Sequence, residues 1–269
     1  MSEKLIVYNI SSKVDTWSGS IAKVKYLLDA NQVSYETVWV PFSKIGETLK
    51  ARGVQPNIEP PYYTLPAITI GELTIFNSNK IIDYFINNQN DLIAKGILKK
   101  EFKAYNELVT PDFFNYFESY LWNNESLKTL IHKIIIPNEV YLLNDEDVNA
   151  FINSPLLKNL NLDEIRKEPK DYNKIWGDAI KFLNYGLQTQ FDFPGLKRDK
   201  FLTGDFVYGD ELSWVDILFY TNFDHYKELA SANIEESQVP ENGLIESQWI
   251  KSWIQRIDKL IGVSNKRLE

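Results

Sequence analysis

Residues 63–78 read Tyr63-Thr64-Leu65-Pro66-Ala67-Ile68-Thr69-Ile70-Gly71-Glu72-Leu73-Thr74-Ile75-Phe76-Asn77-Ser78, and this stretch decides the fold. Leu65 to Ile70 and Leu73 to Phe76 are short runs of apolar and β-branched residues. Gly71-Glu72 between them is the right length for a tight hairpin turn. Ser78 then opens a segment in which Ile81, Ile82, Phe85 and Ile86 share one helical face. Working back towards the N-terminus, Tyr35 to Val40 alternates as a strand should. Ile21, Val24, Leu27 and Leu28 fall at helical spacing, with Ser18 or Ser20 placed to cap the start. Leu5 to Ile10 reads as a buried strand. The charged segment from Phe42 to Gly53 has room for a short helix, and the Pro/Gln/Asn-rich stretch to Pro61 reads as loop. The order is β-α-β, a variable segment, then β-β-α: an α/β arrangement ending near Asn88.

Beyond Asn88 the strand signals fade. Ile175, Trp176, Ala179, Ile180, Leu183 and Leu187 form one amphipathic stripe. Trp249, Ile250, Trp253, Ile254, Ile257, Leu260 and Ile261 form another. Ser213-Trp214-Val215-Asp216 has the form of a capping box ahead of Ile217, Leu218 and Phe219. Loops are expected around Asp192 to Asp199 and from Ser231 to Gly243. Two domains are therefore expected, residues 1–89 as α/β and residues 90–269 as all-helical.

Composition narrows the function classes. The 269 residues carry a formal net charge of -8, which argues against a nucleic-acid partner. No apolar run is long enough to span a membrane, and the apolar run at residues 5–7 is too short for a signal peptide, so a cytoplasmic location is expected. Cysteine is absent and only His132 and His225 are present. A protein thiolate, a disulfide and a thiolate metal site are thereby excluded, and no metal is expected. Both histidines sit in helical-looking stretches and read as structural.

Tyr63-Thr64-Leu65-Pro66-Ala67-Ile68, followed by Asn77-Ser78, resembles the glutathione-binding segment of glutathione S-transferases, where the proline is cis. Phe201-Leu202-Thr203-Gly204-Asp205 with the box at Ser213 to Asp216 is similar to their C-terminal folding motif. More narrowly, Trp17-Ser18, Tyr35-Glu36-Thr37-Val38-Trp39-Val40 and Pro61-Tyr62-Tyr63-Thr64-Leu65-Pro66 resemble the fungal etherase-like branch, itself similar to bacterial β-etherases. The resemblance runs co-linearly from about Leu5 to about Leu229. It implies a thioredoxin-like N-terminal domain with a cis proline and a helical C-terminal domain, glutathione as co-substrate, a hydrophobic second substrate and a homodimer.

The resemblance also assigns roles. The backbone of Leu65, exposed by cis Pro66, pairs with the cysteinyl main chain of glutathione. Ser78, at a helix start where free N–H groups favour an anion, takes the γ-glutamyl carboxylate. Asn77 stands where the family carries an acidic residue or glutamine facing the glutathione ammonium, and an amide offers a weaker contact there. Ser18 matches the serine that stabilises the thiolate, with Ser20 as the alternative and capping as the structural role for both. Tyr8, in the first strand, reads as packing. Asp216 reads as a helix cap rather than a catalytic carboxylate. Tyr116, Tyr120 and Trp122 belong to an aromatic-dense stretch that either packs the core or walls the second-substrate pocket. Residues 149–157, where etherase-like relatives carry arginines, are apolar and neutral here. Two functions follow: a transferase that directs the glutathione thiolate at an electrophile or an ether, or a non-catalytic binding or regulatory protein on the same fold.

Overall fold

The computed structural model describes residues 4–99, 101, 119, 123–158, 160–189, 204–207, 209–231 and 247–262. By compactness the chain falls into two units, one of residues 1–101 with 137–167 and one of residues 102–136 with 168–269. Residues 137–167 thus cluster with the α/β part of the chain although they lie well past Asn88 in sequence.

In the first unit, β1 (Leu5–Ile10), β2 (Glu36–Val40), β3 (Ala67–Ile70) and β4 (Leu73–Phe76) form one sheet in the order β2-β1-β3-β4. β1 pairs with β2 in parallel across α1 (Gly19–Ala30), while β3 runs antiparallel to both β1 and β4. All four residues of β3 are buried, as a central strand with two covered faces requires. The helix α1 buries Ile21, Val24, Leu27 and Leu28, the face read from the sequence. The charged segment forms a 3₁₀ turn (Phe42–Lys44) and α2 (Ile45–Ala51). After the hairpin, α3 (Ser78–Asn87) buries Ile81, Ile82 and Phe85, and α4 (Gln89–Ala94) follows. Strand β3 begins at Ala67, two residues later than the apolar run, because Pro66 has no N–H to offer a ladder.

The later chain forms α5 (Glu125–Leu130), a π turn (Ile131–Ile135), α6 (Ile136–Leu142), α7 (Asp145–Ile152), α8 (Leu162–Lys167), α9 (Tyr172–Thr189), α10 (Trp214–Ser231) and α11 (Gln248–Ile261). Among the described residues after Asn88 there is no strand, only the isolated bridges Ser12–Leu143 and Phe206–Gly209. Helix α11 buries Ile250, Trp253, Ile257 and Ile261 of its stripe, whereas Leu260 is 42% exposed at its edge. The loop stretch 192–199 and the aromatic residues Tyr116, Tyr120 and Trp122 lie outside the described residues, as do residues 201–203. So do all but the first residue of the expected loop from Ser231, which itself closes α10.

The capping box is made as read. Asp216 is fully buried, and its Oδ2 accepts from the Ser213 N–H at 2.7 Å and the Ser213 hydroxyl at 2.5 Å. Its Oδ1 accepts from the Val207 N–H at 2.7 Å and the Trp253 indole at 2.8 Å. Burial pushes this carboxyl above the usual range, and all four donors oppose that push. The carboxylate thereby fastens the start of α10 to α11 and to the turn at Val207.

Candidate functional site

The peptide bond preceding Pro66 is cis, as the resemblance implied, and so is the Pro60-Pro61 bond. The backbone geometry around Leu65 is open. The β1–β3 ladder ends at the Tyr8–Ala67 pair, so Leu65 lies beyond the last rung. Among the described residues nothing pairs with its N–H or C=O, although the side chain is buried. A main chain with a free donor and acceptor next to a strand can take a further peptide strand.

Helix α3 starts beside this edge, because the Asn77 N–H donates to the Pro66 carbonyl at 3.1 Å. The helix begins at Ser78, as the spacing predicts, and the residue before it supplies the cap. Asn77, not Ser78, caps α3: its side-chain oxygen accepts from the N–H of Asn79 at 3.0 Å and of Lys80 at 3.4 Å. Asn77 adopts φ 77° and ψ 123°, a conformation that asparagine tolerates better than most residues but that still carries strain. Ser78 becomes the first helical residue and is nearly buried. Its hydroxyl and backbone N–H have no partner among the described residues, and no acidic residue sits in the first turn of α3. These two donors lie at the positive end of the helix, where negative charge is favoured.

Helix α1 points its N-terminus to the same end of the sheet, since β1 carries the chain past Ala67 before the loop to α1 begins. Ser18 is its N-cap residue, with φ −111° and ψ 130°, yet its side chain makes no capping bond. The hydroxyl is half-buried and unpartnered among the described residues, so the purely structural role that a serine has at this position is not being filled. Ser20 is the second residue of α1 and also half-buried. Like α3, α1 has no acidic residue in its first turn, so nothing there offsets the positive end of the helix.

The loop that delivers Ser18 is tied down from several sides. Asn9, fully buried in β1, donates to the Asp15 carbonyl at 2.7 Å. Lys25 of α1, only 4% exposed, reaches the Asp15 carboxylate at 2.5 Å and the Thr16 hydroxyl at 2.9 Å. The Trp17 ring meets Phe151 edge-on at 5.0 Å and Phe42 at 6.0 Å, and those two meet each other at 5.3 Å. Phe42 is held in turn by Asp147 of α7. That buried carboxylate accepts from the backbone N–H of Phe42 at 2.8 Å and of Ser43 at 2.9 Å. Asp147, Phe151 and Glu139 escaped the sequence reading, because their partners lie more than 100 residues away.

Other candidates sort themselves by burial. Tyr8 is 1% exposed, its hydroxyl accepts from Thr69 at 3.2 Å, and the Arg52 guanidinium sits 5.8 Å from its ring centre. It packs, as expected. Desolvation holds His225 down to about 4 and also lowers His132, so both are neutral at pH 7. Desolvation pushes the Glu139 carboxyl up to about 8, although the residue keeps partial solvent exposure. Among the described residues no group of acidic or histidine side chains is placed to hold a metal ion, and no helix is long and apolar enough to cross a membrane. A crevice of about 530 Å³ between residues 53–58 and β4 is lined by none of the candidate residues.

Taken together, the first unit offers an unpaired main chain at Leu65, an unpaired hydroxyl and N–H at Ser78, and a free hydroxyl at the head of α1. No family model and no curated protein matches the chain. Solved structures do. A glutathione transferase of Phanerochaete chrysosporium is similar over 97% of this chain and 98% of its own, with 19% identity and a TM-score of 0.68. A glutathione S-transferase of Ceriporiopsis subvermispora, solved with glutathione, is similar over 98% and 100%, with 16% identity and a TM-score of 0.68. Glutaredoxin 2 of Salmonella typhimurium, also solved with glutathione, is similar over 97% and 96%, with 11% identity and a TM-score of 0.58. The fold of this chain is the glutathione transferase fold: a thioredoxin-like sheet unit with helices after it.

Proposed function

We propose that this chain binds glutathione and ionises its thiol for attack on a hydrophobic electrophile or ether. The observation that carries the reading is the unpaired backbone of Leu65 beside the unpaired hydroxyl and N–H of Ser78 at the start of α3. In this reading the cysteinyl main chain of glutathione pairs with Leu65, and the γ-glutamyl carboxylate accepts from the Ser78 hydroxyl and N–H. Solvent takes the thiol proton, and the sulfur anion accepts a hydrogen bond from Ser18 at the positive end of α1. The thiolate then forms a carbon–sulfur bond while the leaving group departs with its bonding pair. For an ether that group is an alkoxide or phenoxide, which takes its proton from water. Catalysis rests on positioning and on stabilising the thiolate.

Asn77 takes a different role from the acidic residue of the family. Its oxygen is occupied with the N–H groups of α3, so it shapes the anion site and gives the glutathione ammonium no full charge. That observation favours a second reading, a protein that holds glutathione or a hydrophobic ligand without turnover. The test is turnover of a chloronitrobenzene with glutathione in excess, followed by the absorbance of the thioether. Glutathione-dependent product supports the transferase reading. Bound glutathione without product for any of a panel of electrophiles and aryl ethers sinks it in favour of the second.

A further inference from the structure

The C-terminal end of α6 has an unusual set of partners. The last four carbonyls of a helix lack intrahelical donors. In α6 these belong to Glu139, Val140, Tyr141 and Leu142, of which Glu139 still accepts from the Leu143 N–H at 3.2 Å. Three of them accept from the loop between β1 and α1. The Trp17 indole donates to the Glu139 carbonyl at 2.8 Å, Lys13 Nζ donates to the Tyr141 carbonyl at 3.1 Å, and the Lys13 N–H donates to the Leu142 carbonyl at 2.7 Å. Ser12 pairs with Leu143 just beyond. The sequence separations are 122 residues for Trp17 and 128 for Lys13, so this tie is purely tertiary.

We infer that Trp17 is a positioning residue: its indole N–H, held by the Glu139 carbonyl, fixes the loop that presents Ser18 to the sulfur of bound glutathione. The inference rests on the reading that Ser18 meets that sulfur. One peptide bond joins Trp17 to Ser18, so a shift of the Trp17 main chain is passed directly to Ser18. Upstream, Lys25 and Asn9 already hold Asp15 and Thr16, and this leaves Trp17 as the last fixed point before the helix. The ring contacts with Phe42 and Phe151 set where the indole lies, while the N–H bond sets its rotation within that cage. Position matters because a misplacement of about 1 Å in a catalytic group costs on the order of a hundredfold in rate.

Trp17→Phe separates the two contributions, since it keeps an aromatic ring in the cage and removes only the donor and the larger ring. The Glu139 carbonyl retains the Leu143 N–H at 3.2 Å. Charged groups near the loop are Lys13 and Asp15 on it, Lys25 of α1, Glu139 of α6, and Asp145 and Asp147 of α7. All of them remain in the variant, so a change in thiol ionisation reads the position of Ser18. The control is Trp176→Phe, the same substitution at a buried tryptophan of the other compact unit.

The experiment titrates the thiolate absorbance of bound glutathione against pH, beside KM, kcat and the melting temperature of each protein. Trp17→Phe should keep glutathione KM within about twofold and raise the ionisation midpoint by about one unit, a tenfold loss of thiolate at low pH. Its kcat should fall by about tenfold to a hundredfold. Trp176→Phe should leave midpoint and KM unchanged. An unchanged midpoint in Trp17→Phe with glutathione still bound overturns the inference while leaving the proposed function standing. Absence of glutathione binding by the unmodified protein overturns the proposed function itself, and this inference with it. If Trp17→Phe does not fold, Phe151→Leu loosens the same cage and must raise the midpoint; an unchanged midpoint there overturns the inference equally.

Discussion

Replacing Asp216 by asparagine keeps the shape of the side chain and removes half of what it does. The buried carboxylate accepts four bonds, two on each oxygen, from Val207, Trp253 and twice from Ser213. An amide keeps one oxygen and turns its own N–H groups towards two donors. If the nitrogen faces Ser213, the hydroxyl can reverse but the Ser213 N–H loses its acceptor. If it faces the other way, the Val207 N–H and the Trp253 indole both lose theirs. Each orphaned buried donor costs about 1–3 kcal/mol, and the surviving bonds lose their charge assistance. The sum is about 3–5 kcal/mol, the usual cost of breaking a buried charged network. At about 2–4 °C per kcal/mol for a body of this size, the melting temperature falls by roughly 6–20 °C. Urea unfolding followed by circular dichroism should show a lower midpoint with an unchanged slope. Ser213→Ala removes the hydroxyl that donates to the carboxylate and accepts from the Asp216 N–H at 3.4 Å, and should cost about 1–2 kcal/mol. A loss below about 1 kcal/mol for Asp216→Asn would refute the reasoning, since it would mean that water or a shifted side chain replaces the carboxylate.

Three further predictions concern the site and its supports. Ser78→Ala should chiefly raise KM for glutathione, whereas Ser18→Ala should lower kcat by about 10- to 150-fold and raise the thiol ionisation midpoint; equal kinetics for both variants would refute the division of roles. Asp147→Asn should leave one backbone N–H of the Phe42–Ser43 pair without its acceptor. Amide exchange at these two residues should then speed up by roughly tenfold to a hundredfold, and unchanged protection would show that the carboxylate is not what holds the turn. Glu139 carries a folded-state pKa of about 8 against 4.5 in an open chain, so its penalty is absent at pH 4, grows as pH rises and is complete above about pH 8. Relative to the unmodified protein, Glu139→Gln should therefore gain melting temperature between pH 5 and pH 9, and a constant difference across that range would contradict the assignment.

The sheet unit was legible because its signals are local. Alternation placed β2, Gly71-Glu72 placed the hairpin, and the spacing of Ile81, Ile82 and Phe85 placed α3. The capping box was legible for the same reason, since Ser213 and Asp216 are three residues apart. The cap of α3 was not, because Asn77 and Ser78 are both good cap residues and only the backbone conformation at Asn77 separates them. Leu65 and Pro66 stood out by resemblance rather than by composition; what the residues alone could not show is that the ladder stops at Ala67. Periodicity says which face of a helix is buried but not against what. Hence the return of residues 137–167 to the sheet unit, the grip of Asp147 on Phe42 and the bond from Trp17 to Glu139 were invisible before the structure.

Titration calorimetry of glutathione into the protein, in two buffers of different ionisation enthalpy near neutral pH, tests the central claim most directly. Thiol ionisation on binding makes the observed heat depend on the buffer, because the released proton is taken up by it. The account predicts sub-millimolar binding with proton release, and binding of S-methylglutathione with none. Failure to bind glutathione at millimolar concentration, or equal heats in both buffers, would contradict it.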